Sequence, residues 1–223
     1  MNSLARERIA QILGATVTGR PGCSPVTGVS TDSRTIAPGD CFFAIAGEHF
    51  DGHEYVSKAF AQGAACAVVS RDGPTDGPIL RVADTIEALG DLARAYRQMN
   101  AFKVIAITGS VGKTTTRQIV YHVLSRHCRV HQARKNFNNT IGLPLTLLEA
   151  PPDTEVIVAE LGASAPGEIA YLTGIAQPDV AVVTNAHPAH LAGFGDLDAI
   201  VCEKLSIAQG LAADGVLLVN GDI

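Results

Sequence analysis

The residues with the clearest chemistry are Thr108-Gly109-Ser110-Val111-Gly112-Lys113-Thr114-Thr115. They follow the apolar run KVIAI and precede a segment that carries Ile119, Val120, Val123 and Leu124 at helical spacing. Strand, glycine-bearing turn and helix therefore come in the order that a phosphate-binding loop requires. Glycines let the backbone curl until several N–H groups point inward, and the helix start adds partial positive charge. Lys113 brings a full charge for β- and γ-phosphates. Residues Gly109 to Thr115 are the expected nucleotide contacts, with the Thr114 hydroxyl placed for Mg²⁺. The general pattern has a glycine five residues before the Gly-Lys pair; Ile107 stands there, so this is a shortened loop.

Other polar residues fall where the same edge of a parallel sheet would be. Glu160 ends the apolar run EVIVAE and is a candidate magnesium ligand. Asn185, His187 and His190 follow DVAVVT; His190 is read as a metal or phosphate ligand, His187 as a turn residue before Pro188. Lys204 falls on the stripe of Leu197, Val201, Ala208 and Leu211. A lysine there is either a desolvated, reactive amine or a packed stem whose ammonium reaches water.

These residues need a scaffold, and the hydrophobic pattern supplies an α/β one. A helix is predicted over residues 4–13, followed by a turn-rich stretch to Val29. CFFAIAG reads as a strand, HEYVSKAFAQG as a helix, and ACAVVS and ILRV as strands. Asp84 and Glu87 have capping-box spacing ahead of the stripe Ile86, Leu89, Leu92, Ala93 and Tyr96. From Lys103 on, KVIAIT, EVIVAE, DVAVVT and GVLLV alternate with helical patterns, the signature of a doubly covered parallel sheet. The predicted organisation is a small α/β domain at 1–83, a linker helix at 84–102, and a doubly wound phosphate-loop domain from 103 to 223. That second domain reads as incomplete, since the sequence stops soon after GVLLV.

With 47% hydrophobic residues in 223 there is enough apolar material for real cores, which argues against disorder. Seventeen Lys and Arg against 22 Asp and Glu give a net charge of −5, with no basic excess to favour nucleic acid or an anionic membrane. No apolar run reaches the roughly 18 residues of a spanning helix. The five cysteines are dispersed, without paired metal-ligand spacing, as suits a reducing cytoplasmic compartment.

Taken together, STDSR (30–34), GEHFDGHEYV (47–56), TGSVGKTTT (108–116), NFNNTIGLPLTLL (136–148), ELGASAPGEIA (160–170) and AHLAGFGDL (189–197) resemble the Mur ligase family, the ATP-dependent amide-forming enzymes of peptidoglycan precursor synthesis. The similarity is greatest to the branch that joins D-alanyl-D-alanine to UDP-N-acetylmuramoyl-tripeptide. The sister branch that adds meso-diaminopimelate or lysine is the alternative enzyme, and a non-catalytic nucleotide- or UDP-sugar-binding module the alternative of another class. The resemblance implies a first domain that holds the UDP-sugar through Ser30, Thr31, Asp32, Ser33 and Arg34 and through Gly47, Phe50, Asp51, Gly52 and His53. It implies ATP on the loop at 109–115, and magnesium on Thr114, Glu160 and His190. Asn136, Asn138 and Asn139 are implied near the reacting phosphate and substrate, with Lys113, Asn138, His190 and Lys204 in the chemistry. Lys204 matches a lysine that family members carry as a carbamate, which would help hold a second Mg²⁺; the acidic residue that often follows it is replaced by Leu205-Ser206. Family members also have a carboxyl-terminal domain that closes over ATP, and the full-length enzyme is expected to be a monomer. The 223 residues alone are expected not to ligate.

Overall fold

The computed structural model describes residues 1–19, 24–47, 50–73, 77–134, 136–188 and 194–221. The chain forms two compact units, Met1–Ala95 and Tyr96–Ile223.

In the first unit, α1 (Arg6–Leu13) ends at Gly14, whose φ of 57° is the left-handed C-cap that glycine favours. Five strands follow: β1 (Thr16–Gly19), β2 (Gly28–Ser30), β3 (Asp40–Phe43), β4 (Cys66–Val69) and β5 (Pro78–Arg81). Their order is β1-β5-β4-β3-β2, with β1 antiparallel to β5 and the other pairs parallel. β3 and β4 are buried along their whole length, which is why they are apolar apart from Asp40 at the start of β3. HEYVSKAFAQG is not a single helix. A 3-10 turn at Gly52–Tyr55 precedes α2 (Val56–Ala61), because the Asp51 carboxylate accepts from the His53 amide at 2.9 Å and sets a tight first turn.

α3 (Thr85–Met99) begins as its capping residues require: Asp84 Oδ1 accepts from the amides of Ile86 (2.7 Å) and Glu87 (2.9 Å). Leu89, Leu92, Ala93 and Tyr96 are buried along it, and the division between the units falls inside this helix. At its end Arg97 donates to Phe102 O (2.8 Å), Ala176 O (3.2 Å) and Asp179 Oδ2 (2.8 Å), binding the helix terminus into the second unit.

The second unit holds β6 (Lys103–Thr108), β7 (Val130–Gln132), β8 (Val156–Glu160), β9 (Val180–Val183) and β10 (Val216–Val219), all parallel, in the order β10-β9-β6-β8-β7. Helices α4 (Lys113–Leu124), α5 (Gly142–Leu148), α6 (Glu168–Ala176) and α7 (Leu197–Leu205) accompany them. The chain passes to one side of β6 for β7 and β8 and to the other for β9 and β10. Beside β6 the topology therefore switches direction, and ligands of doubly wound sheets sit outside the carboxyl ends of the strands at such a point.

Two predicted helix faces turn out differently. On α4, Ile119 and Val123 are exposed (59% and 54%) and Arg117 is buried, because the helix turns its Arg117 side to Glu160 and the Ala133 carbonyl. On α7 the buried side chains are Ile200, Glu203 and Lys204, continuing to Ile207, and Leu197 is exposed. The Glu203 carboxylate accepts from the Gly167 and Ile169 amides, both at 2.7 Å, and so pulls that face onto the start of α6. After Leu205 the chain tightens into a 3-10 turn (Ser206–Gly210), which takes Ala208 out of helical phase.

Among the described residues no helix is long and apolar enough to cross a membrane, and Cys41, Cys66, Cys128 and Cys202 are free thiols.

Candidate functional site

The turn from β6 into α4 depends on its glycines. Gly109 has φ of 145°, and a Cβ there would stand 2.0 Å from Thr184 Oγ1. Gly112 caps α4 at φ 84°, in the left-handed region, without a side-chain cap bond. The loop is fastened to the segment after β9. Ser110 N donates to Asn185 O (3.1 Å), Val111 N to Asn185 Oδ1 (3.0 Å), and Asn185 Nδ2 to Val111 O (3.1 Å). Thr184 Oγ1 donates to Val111 O (2.7 Å), while Ser110 Oγ donates to His187 O and accepts from His187 N, both at 2.9 Å. Asn185 thus braces the loop, and His187 contributes its backbone to it.

The N–H groups of Ser110 and Val111 are engaged in this bracing. The donors left for an anion are those of the first turn of α4, Lys113 to Thr115, which have no intrahelical partners. Lys113 folds back over the loop, its Nζ 2.6 Å from Gly109 O and 3.4 Å from Ser110 O. Burial lowers the pKa of its ammonium, against the opposing pull of Glu160.

Glu160, 2% exposed at the end of β8, lies between two α4 side chains. Thr114 Oγ1 donates to its Oε2 at 3.2 Å, and Arg117 Nε stands 3.0 Å from its Oε1. That last contact is an ion pair, since neither atom makes a hydrogen bond of good geometry among the described residues. A buried carboxylate whose Oε2 lies beside a hydroxyl is a hard oxygen donor set, which suits Mg²⁺.

Lys204 is 4% exposed, with its Nζ 5.8 Å from the Phe194 ring centroid. Burial lowers its pKa, and the charge of Lys113 lowers it further. Lys113, Lys204, Phe194 and Ile200 share a small cavity with Gly109 and Ser110. Lys113 also lines a larger one of about 360 Å³ with Asn138, Asn139 and Glu168. Asn138 O accepts from Gly162 N at 2.8 Å, while the Asn139 side chain caps α5 through the amides of Ile141 (3.2 Å) and Gly142 (2.8 Å). Asn136 is exposed and lines neither cavity. His190 lies outside the described residues.

In the first unit a cavity of about 470 Å³ gathers Thr31, Asp32, Ser33, Arg34, Phe50 and Gly52. Ser30, Gly47, Asp51 and His53 are not among its lining residues, although Ser30 and Gly47 bond to residues that are. Ser30 Oγ accepts from Asp32 N at 3.2 Å, and Gly47 N donates to Phe50 O at 2.8 Å. His53 is buried, its Nδ1 2.6 Å from Asp51 Oδ1, and its Nε2 accepts from Ser70 N at 3.0 Å. Side-chain hydrogen bonds from Arg34, reinforced by its amide, hold the Asp32 carboxyl down at about 2.

Sequence reasoning missed Arg117, Phe194, Tyr55 and Lys58. Tyr55 and Phe50 expose aromatic surface at the cavity, and Lys58 lines it without an ion-pair partner among the described residues. Arg117 sits among polar residues of α4, Lys113 to Thr116 before it and Gln118 after it, so the local pattern gave no sign of it.

Comparison with known proteins agrees with this geometry. Residues 107–223 match the Mur ligase middle domain, and residues 25–97 match the Mur ligase family, catalytic domain. The chain belongs to the Mur ligase family. The UDP-N-acetylmuramoyl-tripeptide–D-alanyl-D-alanine ligase of Bacillus subtilis (strain 168) is 44% identical over 200 residues, 88% of this chain and 44% of that protein. The same-named protein of Escherichia coli (strain K12) is 41% identical over 194 residues, 87% of this Mur ligase chain and 43% of its own length. Among solved structures, crystal structure I of MurF from Acinetobacter baumannii superposes with a TM-score of 0.92 at 38% identity, covering 98% of this chain and 49% of that one. MurF ligase from Thermotoga maritima in complex with ADP gives 0.82 at 34% identity, over 88% and 46%. This Mur ligase chain therefore spans about half the length of the relatives it matches.

Two outcomes follow from the bracing and from the Asp32 clamp. Asn185→Ala removes the acceptor of Val111 N but leaves the backbone acceptor of Ser110 N. Hydrogen exchange should therefore show Val111 losing protection by roughly tenfold, the worth of one hydrogen bond, and Ser110 losing less; equal protection in both proteins would contradict the bracing. The Asp32 pKa is depressed on folding, so the clamp's contribution is complete above about 3.8 and is lost as pH falls through about 2. Carboxyl ¹³C NMR should place its midpoint near 2, and a midpoint near 3.8 would count against the clamp.

Proposed function

We propose that this chain carries the UDP-sugar-binding and ATP-binding parts of a ligase that joins D-alanyl-D-alanine to UDP-N-acetylmuramoyl-tripeptide. The observation that carries the reading is the braced loop at the switch point of the second sheet, with Lys113 over it and the Thr114–Glu160 pair beside it. It is supported by relatives whose names state this reaction and by the structural neighbour solved with ADP.

The γ-phosphoryl group of ATP passes to the terminal carboxylate of the tripeptide, giving an acyl phosphate. The amine of D-alanyl-D-alanine attacks this, and phosphate leaves as the amide forms. A free carboxylate is a poor acyl donor at neutral pH, and phosphorylation supplies the leaving group. Here the first turn of α4 holds phosphate oxygens, and Lys113 offsets the charge that accumulates as two anions approach. Mg²⁺, when bound, would neutralise further phosphate charge; Thr114 and Glu160 would hold it, together with His190.

Lys204 has the surroundings of an amine that is readily neutral: burial first, and the charge of Lys113 nearby. A neutral amine adds CO₂ and releases a proton, giving a carbamate anion able to join a second metal. In the first unit, the aromatic surface of Phe50 and Tyr55, the hydroxyls of Thr31 and Ser33, and Lys58 suit a nucleobase and a phosphate chain.

Titrating ATP with Mg²⁺ and UDP-N-acetylmuramoyl-tripeptide separately tests both halves. Lys113→Ala should weaken ATP by tenfold or more, about 1.5–3 kcal/mol for hydrogen bonds from a charged group, and leave the UDP-sugar unaffected. Unchanged ATP affinity would reject the assignment.

A further inference from the structure

We propose that Arg117 is a positioning residue for Glu160, holding one carboxylate oxygen so that the other stays beside Thr114 at the phosphate loop. The proposal rests on the nucleotide reading of that loop and adds a residue that neither the loop motif nor the family matches single out.

Thr114 and Arg117 are three residues apart on α4 and so project from one face. Each meets a different oxygen of the same carboxylate: Thr114 Oγ1 at 3.2 Å from Oε2, Arg117 Nε at 3.0 Å from Oε1. Arg117 is the buried residue of α4, 4% exposed, and Glu160 is 2% exposed. Two charges so deep are tolerated only as a pair, because an isolated one would lose its hydration without compensation.

The guanidinium is itself fixed, since its Nη1 donates to the Ala133 carbonyl just beyond β7. The planar fork joins three elements, α4, β8 and the end of β7, and sets the rotation of the Glu160 carboxylate. With Oε1 held by Arg117, Oε2 stays beside the Thr114 hydroxyl, one residue from Lys113 of the loop. Lys113 and Arg117 place two basic side chains beside this carboxylate, so a divalent cation gains little from Glu160 unless that carboxylate is already aimed and phosphate supplies further negative charge.

The test is the gain in ADP affinity on adding Mg²⁺, measured calorimetrically with the whole chain, together with thermal stability in the absence of nucleotide. The gain should be about tenfold in the wild type and fall to about twofold or less in R117M, with metal-free ADP affinity unchanged, and R117K, which keeps the cation, should recover most of it. R117M with a wild-type gain overturns the proposal. Stability is read through the pair: adding E160Q to R117M should restore folding, because it removes the carboxylate left unpaired. If R117M is too unstable to titrate, a double variant as unstable as R117M itself overturns the proposal, and a rescued one supports it. A wild type that binds no ADP at all would remove the nucleotide reading, whereas the Arg117–Glu160 stability cycle needs no nucleotide and remains decisive for the pair.

Discussion

The site depends on keeping a tight backbone turn open toward the amino end of a helix. A turn with φ of 145° at Gly109 and 84° at Gly112 has little to hold it in shape by itself. The segment after β9 supplies what is missing, as Asn185 meets Val111 with both ends of its amide and Thr184 adds a third bond. The parallel pairing of β6 with β9 brings the two segments to the same sheet edge, with Thr108 opposite Val183. Sheet register therefore fixes the loop, and the loop leaves the first N–H groups of α4 facing outward.

Charge is arranged around that turn in an uneven way. Lys113 and Lys204 flank the loop, held where burial weakens their protonated forms. Such a surface favours a polyanion over a bare cation. The buried Glu160 carboxylate is matched by Arg117, and another buried acid of this region, Glu203, is committed to the amides at the start of α6. Although Glu203 precedes Lys204 directly in sequence, its carboxylate is directed to a structural cap.

Features that act through local backbone chemistry were readable in advance. The glycine turn, the Asp84 cap and the apolar parallel strands each have a sequence signature, because each follows from what a few consecutive residues can do. Burial of Lys204 was also legible, although its neighbours were not, since the 3-10 turn after Leu205 broke the helical phase on which the stripe was counted. Arg117 was hidden for a related reason. Counting apolar residues on α4 favours the face of Ile119 and Val123, whereas a long-range ion pair turns the helix the other way. Ser30, Asp51 and His53, expected as contacts, are not among the lining residues of the first cavity; Ser30 and Asp51 bond to residues two positions away, and only His53 reaches a distant strand end, at Ser70.

The most direct measurement is backbone amide NMR of the chain titrated with ADP and Mg²⁺. If the braced turn grips phosphate, the largest shifts fall on Gly112 to Thr115, with smaller ones at Thr184 and Asn185. Saturating ADP that leaves those amides unmoved would contradict the phosphate site and the ligase reading built on it.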